Sequence, residues 1–189
     1  MNQIVTGITQ HRHHWFSCVW LLLICITLHN SVFAASRGEY EVKSAFIANF
    51  IILTEWPGDG GANSSKEITL CVVGNSSLPE SFHALNGKQV GTKVLRVVPV
   101  AVETALPDCH VVFFMEDVDT EHLVRTLGAL RSRPVLTIGE KSNVTKLGGT
   151  IHFFKDKGQL RFAINPKVLT EQRLKMSSRL LQIATLIND

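Results

Sequence analysis

Ile68–Gly74, with the sequence ITLCVVG, is a short apolar run that stops at a Gly-Asn pair, a pattern typical of a buried strand. Similar runs recur downstream at Val94–Val100, Cys109–Met115 and Pro134–Ile138. Segments with helical spacing of apolar residues surround them, at Glu39–Trp56, Leu78–Leu85, Asp119–Arg131 and Ser142–Leu147. Because strands alternate with helices, the sequence predicts an α/β fold with a mainly parallel sheet flanked by helices.

The C-terminal part of the sequence predicts a hairpin followed by a helix. Ile151–Phe154 and Gln159–Ile164 are joined by a Lys-Asp-Lys-Gly turn and predict an antiparallel hairpin at one edge of the sheet. Asn165-Pro166 is a helix-start signal, and the apolar stripe behind it reaches Leu186, so we expect one long final helix. No repeat or linker divides residues 38–188, which we expect to form one domain.

The N-terminal segment has the layout of a signal peptide. Arg12 precedes an apolar run of about 14 residues that begins at Trp15, shorter than the roughly 20 residues that cross a bilayer. Val32 and Ala34 supply the residues that a signal peptidase needs before a cut between Ala34 and Ala35. We expect residues 1–34 to be a cleaved signal peptide, the alternative being an uncleaved anchor.

The cysteine count changes once the signal peptide is removed. Cys18 and Cys25 leave with residues 1–34, and Cys71 and Cys109 remain. Two cysteines on strand-like segments of an exported chain predict a disulfide, because the compartment is oxidising. A pair of buried thiols and a redox-switching bond are the alternatives.

The sequence offers little that could carry out chemistry. With 45% hydrophobic and 19% charged residues the chain is not disordered, and a net charge of +3 is too small to indicate a nucleic-acid partner. Neither a Gly-x-Ser-x-Gly elbow nor a glycine-rich phosphate loop is present in the sequence. Acidic residues at 116–121 are interpreted as caps of the next helix. The remaining histidines lie on separate elements, so we predict no catalytic residue, no metal and no cofactor; they are His83, His110, His122 and His152.

The predicted first helix is unusually apolar. One face carries Val42, Ala45, Phe46, Phe50 and Leu53, and further apolar residues widen it, namely Tyr40, Ile47, Ile51, Ile52 and Trp56. Such a helix either lies deep in a three-layer fold or also packs against a partner or a second copy of the chain.

Short segments stand in a fixed order along the chain. They are EYEVKSAFIANF at 39–50, EWP at 55–57, LCVVG at 70–74, LNGKQV at 85–90, CHVVFF at 109–114, PVLTI at 134–138, Gly148-Gly149, FAIN at 162–165 and LKMSSRLL at 174–181. In this order and spacing they resemble the YfiR-like family of exported bacterial regulators, over nearly all of residues 39–188.

The resemblance implies a periplasmic protein without catalytic activity. Such a protein represses an inner-membrane diguanylate cyclase by binding its periplasmic sensor portion, and an OmpA-like outer-membrane lipoprotein relieves the repression by sequestering it. The output would be cyclic-di-GMP, and hence biofilm formation. The resemblance also implies a homodimer and a strand-to-strand disulfide between Cys71 and Cys109. Some relatives carry a second cysteine pair near the Gly-Gly strand. This chain lacks that pair, because residues 143–154 contain no cysteine.

Partner binding is expected at the exposed side of the first helix and on the final helix. The residues proposed for it are Tyr40, Phe46, Lys175 and Arg179. Two other classes of function compete with this one. The first is a periplasmic sensor domain that binds a small ligand in a strand-end crevice. The second is a secreted hydrolase, for which the sequence supplies no nucleophile, metal set or carboxylate pair.

Overall fold

A curled, mostly parallel sheet of eight strands organises the computed structural model, which describes residues 38–58 and 66–187. The strands are β1 (Thr54–Glu55), β2 (Glu67–Val73), β3 (Gln89–Val90), β4 (Lys93–Val100), β5 (Val111–Phe114), β6 (Leu136–Gly139), β7 (Ile151–Asp156), β8 (Gln159–Ile164), β9 (Lys175–Met176) and β10 (Thr185–Leu186). The helices are α1 (residues 38–52), α2 (Glu80–His83), α3 (Thr120–Leu130), α4 (Pro166–Glu171) and α5 (Ser178–Ile183). The predicted signal peptide, with its cut between Ala34 and Ala35, lies outside the described residues and stays a prediction.

The central strands are parallel, as the sequence predicts. The order in the large sheet is β10-β8-β7-β6-β5-β2-β4-β3, with antiparallel pairing at β7–β8 and β3–β4 and parallel pairing between the other neighbours. All four residues of β5 are buried, because helices or turns cover both faces of the sheet at this strand. This double coverage explains why the strand appears in the sequence as an unbroken apolar run.

Side chains of alternate strand residues belong to two apolar clusters, one on each face of the sheet. On the first face Ile47 and Phe50 of α1 and Phe82 of α2 pack against side chains such as Phe113. On the second face Leu127 and the other buried leucines of α3 pack against residues of β2 and β5. The sheet therefore separates an α1 side from an α3 side.

The first helix is shorter than predicted, and it buries a different face. It ends at residue 52 because Thr54 and Glu55 form β1, which pairs antiparallel with β9. Ile47 and Ile51 are buried, whereas Val42 and Ala45, which were expected to face the core, are exposed.

The prediction of one long final helix is wrong. Helix α4 ends at Glu171, and Arg173 adopts a left-handed conformation with φ of 56°, which a continuing helix does not tolerate. The following residues form β9, the short helix α5 and β10 instead. Asn165 does cap the start of α4, since its side chain accepts from the backbone N–H groups of Lys167 and Val168.

Other local predictions also change. Strands β7 and β8 pair antiparallel from Ile151↔Ile164 to Asp156↔Gln159, but they do not form the edge, because β10 adds parallel to β8. Residues 142–147 form consecutive turns rather than the expected helix. A short strand that was not expected, β3, lies at the other edge of the sheet and pairs with β4.

A disulfide joins Cys71 to Cys109, with 1.97 Å between the sulfur atoms and 5.9 Å between the Cα atoms. Cys71 lies within β2, and Cys109 lies two residues before β5, the parallel neighbour of β2. The bond is buried on the α3 side of the sheet. The described residues from Tyr40 onward form one compact unit. Among the described segments, no helix has the length and apolar character needed to cross a membrane.

Candidate functional site

The carboxyl ends of β2, β5 and β6 meet at one edge of the sheet, where open α/β sheets usually bind ligands. Polar residues follow each of these strands. Asn75 and Ser76 follow β2, Glu116 and Asp117 follow β5, and Glu140 follows β6. This edge is where the strand-end crevice of the sensor alternative would lie.

Glu140 is a buried carboxylate that the chain itself neutralises. Its Oε1 lies 2.5 Å from Nζ of Lys43 on α1, and the two side chains are only 3% and 7% exposed. Its Oε2 accepts from the backbone N–H of Glu116 at 2.6 Å and from the hydroxyl of Tyr40 at 3.3 Å. Because a buried charge needs such partners, this cluster fixes α1 over the ends of β5 and β6.

Asp117 closes the loop that follows β2. Its Oδ2 accepts from the backbone N–H of Asn75 at 3.0 Å, and from the N–H and hydroxyl of Ser76 at 2.7 and 2.6 Å. Burial pushes the pKa of Asp117 upward, but the hydrogen bonds from Ser76 and Asn75 outweigh it, so the pKa lies below its ordinary value. A Cβ on Gly74 would stand 2.9 Å from Asp117 Oδ1, so the close approach of the two loops requires glycine there.

Other polar residues that the sequence singles out are also paired within the chain. Asp119 caps α3, as expected for the acidic segment, because its side chain accepts from the N–H of His122 at 2.7 Å, and this bond lowers the pKa of Asp119. Nδ1 of His110 accepts from the N–H of Thr69, and Nδ1 of His152 lies 3.0 Å from the Thr145 hydroxyl. In the described part of the chain, no three His, Cys, Asp or Glu residues converge to hold a metal ion.

The four residues proposed for partner binding differ in their surroundings. Tyr40 is half-buried against Glu140, and Phe46 is half-buried with its ring 6.0 Å from that of Phe50 and 5.5 Å from that of Phe162. Lys175 and Arg179 are exposed. The two aromatic residues therefore pack mainly within their own fold, whereas the two cations face solvent.

The structure exposes a different set of apolar residues on α1. Val42 and Ile52 are 45% and 52% exposed, and Ala45 and Asn49 lie between them on the same side of the helix. The C-terminal end of α1 lies beside the start of α5, because the carbonyl of Leu53 accepts from the N–H of Ser177 at 2.8 Å. Exposed residues of α5 are Ser178, Arg179, Gln182 and Ile183, the last of them 66% exposed. We call these exposed residues of α1 and α5 the α1–α5 surface.

No local pattern in the sequence predicts the Lys43–Glu140 pair, since the partners are 97 residues apart. One hint exists in hindsight. Lys43 lies three residues after Tyr40 and four before Ile47, which places a charge within the buried stripe of an apolar helix.

The structure is thus an α/β domain with a buried Lys43–Glu140 pair at the carboxyl ends of its strands and exposed aliphatic side chains on α1. The chain belongs to the YfiR/HmsC-like family, whose model matches residues 40–185. A comparison with curated proteins found no match to this chain. The family expected from the ordered segments is therefore confirmed, and the matched residues run from α1 to β10.

Proposed function

We propose that this chain is a periplasmic regulator that represses an inner-membrane diguanylate cyclase by binding its periplasmic sensor portion. Membership of the YfiR/HmsC-like family over residues 40–185 is the observation that carries the proposal. Through the cyclase, the chain controls cyclic-di-GMP and biofilm formation. The protein acts by binding and has no catalytic role.

The closed sheet edge supports binding rather than catalysis. Glu140, the most buried carboxylate at that edge, is committed to Lys43, Tyr40 and the Glu116 N–H, and Asp117 is committed to the loop after β2. A general acid or base needs room for a substrate within hydrogen-bond reach, which the buried Glu140 does not offer. This also weakens the sensor alternative, because both oxygens of Glu140 are already paired with groups of the chain.

We place the partner site on the α1–α5 surface. Two well-exposed aliphatic side chains on one side of α1, Val42 and Ile52, suit a hydrophobic contact with a partner. Arg179 adds a positive charge at the start of α5, whereas Lys175 lies opposite Glu55 in the β1–β9 pair. Tyr40 and Phe46 hold α1 in place behind this surface, since Tyr40 donates to Glu140 and Phe46 packs against Phe50.

The cyclase is released from repression when a second partner competes with it for this chain. An OmpA-like outer-membrane lipoprotein that binds the same chain in a mutually exclusive complex shifts the regulator away from the cyclase, with no chemistry required. The chain acts as a homodimer in this scheme. A periplasmic location requires removal of residues 1–34 between Ala34 and Ala35, and the Cys71–Cys109 disulfide suits that oxidising compartment.

Calorimetric titration of the purified protein with the periplasmic portion of a cyclase encoded beside it tests this proposal. We expect saturable binding that Val42→Glu and Ile52→Glu each weaken by about tenfold or more, because each puts a charge into an apolar contact. Val94→Glu on β4 is the matched control, since Val94 is 46% exposed but lies on the α3 side of the sheet, the face of Val98 and Val100. Absence of binding by the unmodified protein, or equal loss in all three variants, would contradict the proposal.

A further inference from the structure

A groove of about 370 Å³ lies on the α3 side of the sheet, between α3, the turn at residues 145–148 and α4. Its volume is within the range of small-molecule sites, about 300–1,000 Å³. It is separate from the closed sheet edge and from the α1–α5 surface, since neither contributes a residue to its lining.

The floor of the groove is polar and held in place by hydrogen bonds. Gln172 and Asn165, which both line it, are 2% and 5% exposed. Oε1 of Gln172 accepts from the Thr150 hydroxyl at 2.6 Å. Nδ2 of Asn165 donates to the carbonyl of Thr145 at 3.2 Å, and its Oδ1 accepts from the N–H groups of Lys167 and Val168. Hydrogen bonds within the chain therefore hold both amide side chains of the floor in place.

The walls are apolar, and the charged groups of the lining are mostly positive. Aliphatic side chains form the walls, namely Val124, Leu127, Leu147 and Val168. The charged lining residues are Arg131, Lys146, Lys167 and Glu171. Arg131 and Glu171 pair with each other across α3 and α4 at 3.4 Å. Lys146 and Lys167 are exposed and are left as the excess positive charge.

We propose that this groove binds a small organic carboxylate. The carboxylate lies at Lys146 and Lys167, and a short alkyl body packs against Val124 and Leu127. The two cations recognise the anionic head, and the aliphatic walls exclude water from the tail. This ligand site goes beyond the proposed regulatory function and does not depend on it.

Calorimetric titration of the purified protein at pH 7 and low salt, with straight-chain monocarboxylates from acetate to octanoate, tests the site. We expect affinity to rise by up to about fourfold for each added methylene until the groove is full. Lys146→Gln and Lys167→Gln should each weaken hexanoate binding by about threefold to fivefold, the size expected for a partly exposed charge pair. Lys88→Gln, an exposed lysine outside the groove, is the control and should change nothing.

A second readout follows from the position of Lys146 near His152. Burial and, next, the positive charge of Lys146 hold the pKa of His152 below its ordinary value. A carboxylate bound at Lys146 should therefore raise the pKa of His152, as followed by NMR of the imidazole resonances in saturating hexanoate.

Four results would overturn the site. The first three are no saturable binding of any monocarboxylate, equal binding of hexanol and hexanoate, and hexanoate binding that the Lys146→Gln/Lys167→Gln double variant leaves unchanged. The fourth is binding of inorganic phosphate as tight as that of hexanoate, because the aliphatic walls would then contribute nothing.

Discussion

Lys43 and Glu140, 97 residues apart in the sequence, form a buried ion pair with 2.5 Å between Nζ and Oε1. The pair joins the middle of α1 to the residue that follows β6. Glu140 also accepts from Tyr40 and from the Glu116 N–H, so these contacts hold α1 in its observed orientation together with its apolar packing. In that orientation Ile47 is buried and Val42 is exposed.

Replacing Lys43 by Met should destabilise the fold by about 3–5 kcal/mol, because Glu140 then stays buried without its cation. The double variant Lys43→Met/Glu140→Gln should recover part of that loss, since no unpaired charge is left. Urea unfolding of the purified proteins measures both. Arg125→Met is the matched control, because Arg125 pairs with Glu121 on the exposed side of α3 at 2.6 Å, and it should cost less than about 1 kcal/mol. A Lys43→Met variant as stable as Arg125→Met would contradict the role of the pair.

The disulfide between Cys71 and Cys109 closes a loop with a sequence separation of 38 residues. In the chain-entropy model, a loop of this length contributes roughly 4 kcal/mol by restricting the unfolded chain. Reduction, or the Cys71→Ala/Cys109→Ala variant, should lower the urea midpoint accordingly. Thiol labelling of the processed protein under denaturing, non-reducing conditions should find no free thiol, and two labelled cysteines would show that the bond does not form.

His152 should make stability fall in mild acid. Its pKa is lowered by burial first and by Lys146 second, so the folded protein holds the ring neutral while the unfolded chain takes up a proton near pH 6.5. The unfolded state is therefore favoured as the pH falls below about 6.5 and on through the folded pKa. In His152→Gln the difference in unfolding free energy between pH 7.5 and pH 5 should shrink. His83→Gln, at an exposed histidine, should keep the difference of the unmodified protein. A His152→Gln variant with that same difference would contradict the assignment.

The strands could be predicted because their signals are local. Residues 68–73 and 111–114 are apolar runs whose burial on both faces shows directly in the sequence. No such local signal shows that the expected final helix is interrupted. Met176 and Leu180 recur at helical spacing, yet Met176 pairs with Thr54 in β9, and Thr185 pairs with Ala163 in β10. Those pairings depend on partners that are distant in the chain.

For the candidate site too, residues with local signals were predictable and residues with distant partners were not. The disulfide was predictable because two cysteines remain after residues 1–34. Asp119 was predictable as a cap from its place before α3. Asp117, from the same acidic segment, instead binds the loop at Ser76, 41 residues away, and Lys43 pairs with Glu140. Only the folded sheet brings the ends of those strands together.

Val42→Glu and Ile52→Glu should leave the fold intact while they disable the α1–α5 surface. Both side chains are close to half exposed, so each substitution should change the unfolding free energy by no more than about 0.5 kcal/mol. Thermal unfolding measures this. Loss of stability comparable to that of Lys43→Met would mean that these positions serve the core and not a partner.

Intracellular cyclic-di-GMP, measured before and after deletion of the gene, tests the proposed repressor role most directly in a strain that carries the cyclase and the lipoprotein. We expect the level to rise on deletion and to return with the unmodified gene or with Val94→Glu, but not with the Val42→Glu/Ile52→Glu double variant. A cyclic-di-GMP level that does not change on deletion would contradict the repressor function.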